Sequence, residues 1–262
     1  MTDTPLDLAH AGMEAAPEND AARLKFYERL ADSELFIMLT EEARGETFAP
    51  DLFELPDAVY ALVFDREERL AAFAEKPVPY AALSGRAIVG ALAGQGVGLA
   101  LNPEVAPSSI LIPAEAVDWL AETLANAPAQ VEERISAFQR PTDLPEALLR
   151  ALDIKLSMSA GLAATAYLVA TSAQSGARGH LLAFIDAKPG AEPALAKATS
   201  EALTFSGLEA GTLDVGFFAA DDPAAEVLSR HGLRFDLPEP KQPTRVDRIA
   251  PGSDPEKPPI LK

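Results

Sequence analysis

Apolar residues fall into short runs whose period changes along the chain. "LFIMLT" (Leu35–Thr40) and "YALVF" (Tyr60–Phe64) are short and uninterrupted, the pattern of strands buried on both faces. "ETFAPDLF" is a candidate third strand between them. Leu24, Tyr27 and Leu30 recur at helical spacing and predict a helix over 21–31 capped by Asp20. "DREERLAAFA" predicts a short helix with Asp65 as N-cap and Glu67 and Glu68 at its positive end. A further helix is expected over Tyr80–Ala93, with Ser84 inside it. "VGLALN" and "SSILI" are short strands. Pro113 suits the first turn of a helix whose Val117, Leu120, Ala121 and Leu124 share one face.

After "ANAPAQ" (Ala125–Gln130) the pattern resumes. "QVEERISAF" alternates weakly, as a strand does. A helix over Leu144–Leu156 carries Leu148, Leu149, Leu152 and Leu156 on one stripe. "AATAYLVATS" and "GHLLAFIDA" read as strands paired through a turn at "QSGARG", and the second, apolar on both faces, should be central. A helix ("EPALAKATSEALTF"), a strand ("GTLDVGFFAA"), a helix ending at Gly232 and an edge strand ("LRFDL") complete the series. The fold class is therefore α+β. Two small mixed α/β domains are expected at 20–125 and 126–237, the second ferredoxin-like in element order. Residues 1–19 read as a flexible leader. Residues 238–262 hold seven prolines and few apolar residues and read as a disordered tail.

Composition narrows the function. Forty acidic residues against 22 basic ones give a net charge of −18, with most of the excess in residues 1–125. No run of Lys and Arg reaches three, so nucleic acid and anionic lipid are not expected partners. The chain has no cysteine, which excludes disulfides, thiolate metal sites and a cysteine nucleophile. The acidic N-terminus does not resemble a secretory signal, and neither long uncharged stretch, 87–103 or 156–177, suits a membrane span. A cytoplasmic protein is expected.

Candidate chemistry is sparse. "GQGVGLALNP" (Gly94–Pro103) is glycine-rich, but a dinucleotide loop needs G-x-G-x-x-G after a strand and opening a helix. Here a helix precedes Gly94 and a strand follows Gly98, so Gly94, Gly98, Asn102 and Pro103 are assigned to turns. Neither G-x-S-x-G nor a paired-histidine motif occurs. No catalytic, cofactor-binding or metal-binding residue is assigned, and no cofactor is expected. Trp119, the single tryptophan, lies at the flank of its helix's buried face, where it either packs or anchors a partner.

The block from "YALVF" through "GVGLALNPE" to "SSILIPAEAVDWL" resembles the N-terminal domain of the SseB family, the enhanced serine sensitivity proteins. "AYLVATSA" and "GHLLAFIDA" look like that family's C-terminal domain. The resemblance covers roughly residues 21–237. It implies a link to serine tolerance and brings no catalytic residues; Gly98, Asn102 and Pro103 match its turn. Together these readings predict a non-enzymatic protein that works through an unidentified protein partner. The alternative is a small-molecule binder or enzyme using carboxylates in a cleft between the domains. Self-association through the strand edges at "RISAF" or "LRFDL" is a further expectation.

Overall fold

In the computed structural model, residues 3–43, 48–126, 135–142, 144–173, 178–207 and 213–239 are described. Two helices, α1 (Pro5–Ala15) and α2 (Asp20–Asp32), precede β1 (Glu34–Met38), β2 (Leu52–Leu55) and β3 (Ala58–Phe64). Then come α3 (Glu67–Ala74), β4 (Tyr80–Ser84), α4 (Gly85–Leu92), β5 (Val97–Leu101), β6 (Ile110–Ile112) and α5 (Ala114–Ala125). These strands form one mixed sheet, in the order β4-β1-β3-β5-β6 with β2 also on β3. β3 and β5 run parallel and the other pairs antiparallel.

The apolar run of β3 is explained by burial on both faces. Ala61 and Val63 join a core with Phe26, Leu30, Ile88, Val117 and Leu120 from α2, α4 and α5. Tyr60, Leu62 and Phe64 face the other way and pack with Leu70 of α3. Alternation is invisible when both sides are apolar.

The second half runs β7 (Ile135–Gln139), α6 (Glu146–Met158), β8 (Thr165–Ala173), β9 (Arg178–Ile185), α7 (Glu192–Phe205), β10 (Leu213–Phe218), α8 (Pro223–His231) and β11 (Leu233–Asp236). The element order is the expected one. The pairing, however, puts β9 against β10 in parallel, with β8 on its other side. A ferredoxin-like sheet would insert the first strand between those two. Here β7 and β11 instead share the far edge of β8, β11 against residues 165–168 and β7 against 170–173. Leu182 and Phe184 of β9 face α6 and α7, while Leu181, Ala183 and Ile185 face α8.

Several expectations change. Residues 5–15, expected in a flexible leader, form α1, with a capping box in which Thr4 Oγ1 accepts from Asp7 N and Asp7 accepts from Thr4 N. Leu6 is 1 % exposed in the first core, so apolar burial holds this helix down. The cap of α2 is Asn19, not Asp20: its Oδ1 accepts from Ala21 N and Ala22 N. Asp65 does not cap α3, because its carboxylate is committed to Arg69. The helix expected over Tyr80–Ala93 is a strand and a helix. Residues 80–84 pair with β1, and Ser84 Oγ caps α4 by accepting from Ala87 N. Pro113 stands at the N-cap of α5, one residue before its first turn. Beyond residue 239 the expected tail lies outside the described residues. Among the described residues, no helix is long and apolar enough to cross a membrane.

Candidate functional site

The sequence-assigned turn residues lie around the ends of β5. Gly94 follows α4 at φ +73 and donates its N–H to Asp118 Oδ1 at 2.7 Å, tying α4 to α5. Gly98 lies where β5 is squeezed: a Cβ there would stand 2.4 Å from the Ile112 carbonyl and 2.7 Å from the Tyr60 ring. Asn102 has φ +47 and is fully buried, and Pro103 follows it at the surface of the β5–β6 loop.

Asn102 leads into a polar cluster that sequence reasoning missed. Its Nδ2 donates to Ser108 Oγ at 2.9 Å, and its Oδ1 accepts from Asp65 N at 3.1 Å. Ser108 Oγ in turn donates to Asp7 Oδ1 at 2.5 Å. Arg69, 2 % exposed, donates to Asp7 through Nη1 and Nη2 at 3.0 and 2.5 Å, and to Asp65 at 2.7 Å. Thr4 Oγ1 donates to Asp65 Oδ2 at 2.6 Å. Burial pushes the Asp7 carboxyl up. The hydrogen bonds from Arg69, Ser108 and Thr4 outweigh it and hold the group well below the usual carboxylate range. Two carboxylates thus share one guanidinium. The surplus negative charge sits at the N-terminus of α1, where free N–H groups and the helix dipole favour it.

A second cluster joins the two halves. Lys155 of α6 donates to Asp32 Oδ2 at 2.6 Å and Glu201 Oε2 at 3.0 Å, and stands 3.6 Å from Glu28 Oε1. Arg86 of α4 reaches Asp32 Oδ1 at 2.6 Å and both Glu201 oxygens at 3.1 and 3.2 Å. Burial opposes the charge on Glu201, but Arg86 and Lys155 prevail and lower its pKa. Glu28 goes the other way: burial raises it, Lys155 only partly compensates, and among the described residues its Oε1 has no hydrogen-bond partner. Phe205, at the end of α7, enters the core of the first sheet and lies 5.9 Å from Lys155 Nζ. Ion pairs and an aromatic ring therefore occupy the centre of the junction between the halves. Grooves that draw on both halves flank it. One groove of about 250 Å³ is lined by Arg86, Ala87, Ala121, Leu124 and Lys197, and another of about 290 Å³ by Pro5, Leu8, Ala22, Arg29 and Ile154.

Large apolar side chains stand outside. Trp119 is 38 % exposed and packs edge-on against Tyr27 at 5.3 Å, so it both packs and faces solvent. Leu52, Phe53 and Leu55 are exposed on β2. The strand expected at "ETFAPDLF" overlaps β2 only at Leu52 and Phe53, and nothing in the sequence marked it as an edge. The histidines stand apart: His10 is buried against Phe26, His180 lies in β9 and His231 ends α8.

The fold and these clusters define an α+β protein of two mixed sheets, whose buried charged side chains are engaged with one another. The model of the SseB protein N-terminal domain matches residues 8–119, so this part of the chain is an SseB N-terminal domain. The matched stretch spans the first sheet and stops before the second. No curated protein and no solved structure matches the chain.

Proposed function

We propose that this chain works by contacting another protein, without catalysis, and that residues 126–237 are the SseB-like C-terminal domain of the same machinery. One observation carries the reading: the buried charged side chains are engaged with one another, while large apolar side chains stand outside. Asp7, Asp32, Asp65 and Glu201 all accept from Arg69, Arg86 or Lys155, and the remaining carboxylate of the two clusters, Glu28, stands 3.6 Å from Lys155. Meanwhile Leu52, Phe53, Leu55, Leu111 and Trp119 face solvent on the first sheet and α5. Exposed aromatic and aliphatic side chains of this kind are what interfaces use. The family's link to serine tolerance is then exerted through a cytoplasmic partner. Crosslinking of the tagged chain in native extract, over several salt strengths, tests this. Recovery of a partner lost on F53S/L55S supports it, and crosslinks no different from a tag-only control reject it.

The small-molecule reading rests on the groove beside Arg86 and Lys197. A thermal-shift screen with nucleotides, metals and amino acids including serine addresses it. A ligand at ~100 times its Kd adds about 2.7 kcal/mol, and a flat screen removes the reading for the compounds tried.

A further inference from the structure

β2 is an edge with a readable chemistry. It pairs with β3 through Leu52↔Ala61, Phe53↔Tyr60, Glu54↔Val59 and Leu55↔Ala58. Among the described residues no strand covers its other side. All four of its residues are exposed. Such a row of backbone donors and acceptors is a template for another extended segment.

Register assigns the side chains to faces, since directly opposed residues point the same way. Phe53 and Leu55 lie on the face of Tyr60, toward α3, while Leu52 and Glu54 lie on the face of Ala61. The flanks are acidic: Pro50–Asp57 holds Asp51, Glu54 and Asp57 and no base. A second copy is a poor occupant, because two β2 strands side by side would bring together their Glu54 carboxylates, with Asp51 and Asp57 at the ends of each strand and no base in either segment. A strand with basic residues on the Glu54 face and apolar residues on the Phe53 face satisfies both sides.

We infer that β2 receives, by strand addition, an extended segment of a partner protein in which apolar and basic residues alternate. This deepens the contact reading above and rests on it. Proline is excluded from such a segment wherever it must donate to the β2 backbone.

The test titrates the full chain with a capped peptide of alternating valine and lysine, read by fluorescence anisotropy. Two controls are its block isomer, with valines and lysines grouped, and an alternating valine–glutamate peptide. The alternating basic peptide is expected to saturate below ~1 mM, with affinity falling as salt rises. The block isomer should bind at least about tenfold more weakly, because it keeps the charge and loses the facing pattern. Glu54→Lys with Asp57→Lys should weaken binding about fivefold or more, and F53S/L55S likewise, with unchanged thermal midpoints as the folding control. Equal binding of the block isomer, or full retention by E54K/D57K, overturns the inference by reducing the effect to general attraction toward an acidic chain. A dimer in sedimentation that F53S/L55S abolishes also overturns it, in favour of a second copy. If no peptide binds while extract crosslinks still depend on Phe53 and Leu55, the partner class fails and the contact reading survives. If those crosslinks are absent as well, both fail.

Discussion

Asn102 joins three parts of the chain through one side chain and its own N–H. The N–H donates to Val63 O at 2.9 Å, holding the turn against β3, and the amide reaches the start of α3 and the β5–β6 loop. An adjoining proline and a left-handed φ mark such a residue as a turn in the sequence. Its amide contacts are not legible there, because Asp65 is 37 residues away. The same holds for Asp7 and Arg69, 62 residues apart and paired only because α1 folds back over the ends of the strands. Arg69→Met removes the one cation that, among the described residues, is bonded to Asp7 and Asp65, while keeping most of the volume. It is expected to cost about 3–5 kcal/mol in urea unfolding, since two buried carboxylates lose their partner. Asp7→Asn tests the sign of the titration. A carboxyl held below its usual value contributes stability that is complete above about pH 5 and drains away on acidification toward its folded pKa. Wild type should therefore exceed D7N at neutral pH, and the gap should close as the pH falls below about 4. A gap independent of pH would show that Asp7 acts only by its shape.

At the scale of elements, short apolar runs were legible because burial on both faces leaves a mark that needs no partner. The division within 80–93 was not read, although its signal was present. Ser84 followed by Gly85 is an N-cap signature, but the alanines around it suit a helix and only pairing with β1 makes Tyr80–Ser84 extended. α1 was overlooked in the same way: Thr4, Pro5 and Asp7 spell a capping box with proline in the first turn. The second sheet shows the reverse limit. Its element order was readable and its strand pairing was not, since register along β8 depends on which segments reach its free edge. Two glycines separate local preference from packing. Gly90 lies inside α4 with nothing within 4 Å of a Cβ built there, so Gly90→Ala should stabilise by about 0.5–1 kcal/mol. Gly98→Ala should instead destabilise by about 1–3 kcal/mol or more, because the Ile112 carbonyl and the Tyr60 ring occupy the space. Thermal unfolding of the pair gives opposite signs if β5 is pinned between β3 and β6. A neutral G98A would refute that packing.

Across the whole molecule, the two buried clusters carry the same excess, one carboxylate beyond what their cations match, and resolve it differently. Around Arg69 the N-terminus of α1 absorbs it. Between the halves the surplus falls on Glu28, which stands 3.6 Å from Lys155. Its raised pKa means that the folded protein holds this proton more tightly than the unfolded chain does. Stability from such a group is complete below the ordinary glutamate value and is lost as pH rises through the folded one. Glu28→Gln mimics the protonated form at every pH. At acid pH, E28Q and wild type should unfold together. As pH rises past the ordinary glutamate value, wild type should fall progressively below the variant. Lys155→Met gives the converse: with the cation gone, Asp32 and Glu201 keep Arg86 while Glu28 loses its ion pair, and the loss should be about 3–5 kcal/mol at neutral pH. These groups span α2, α4, α6 and α7, so a loss confined to the junction should separate the halves before either core melts. Calorimetry of K155M resolving two transitions where wild type shows one would place cohesion of the molecule in this cluster. A single transition, merely shifted down, would place it in the apolar seam around Phe205.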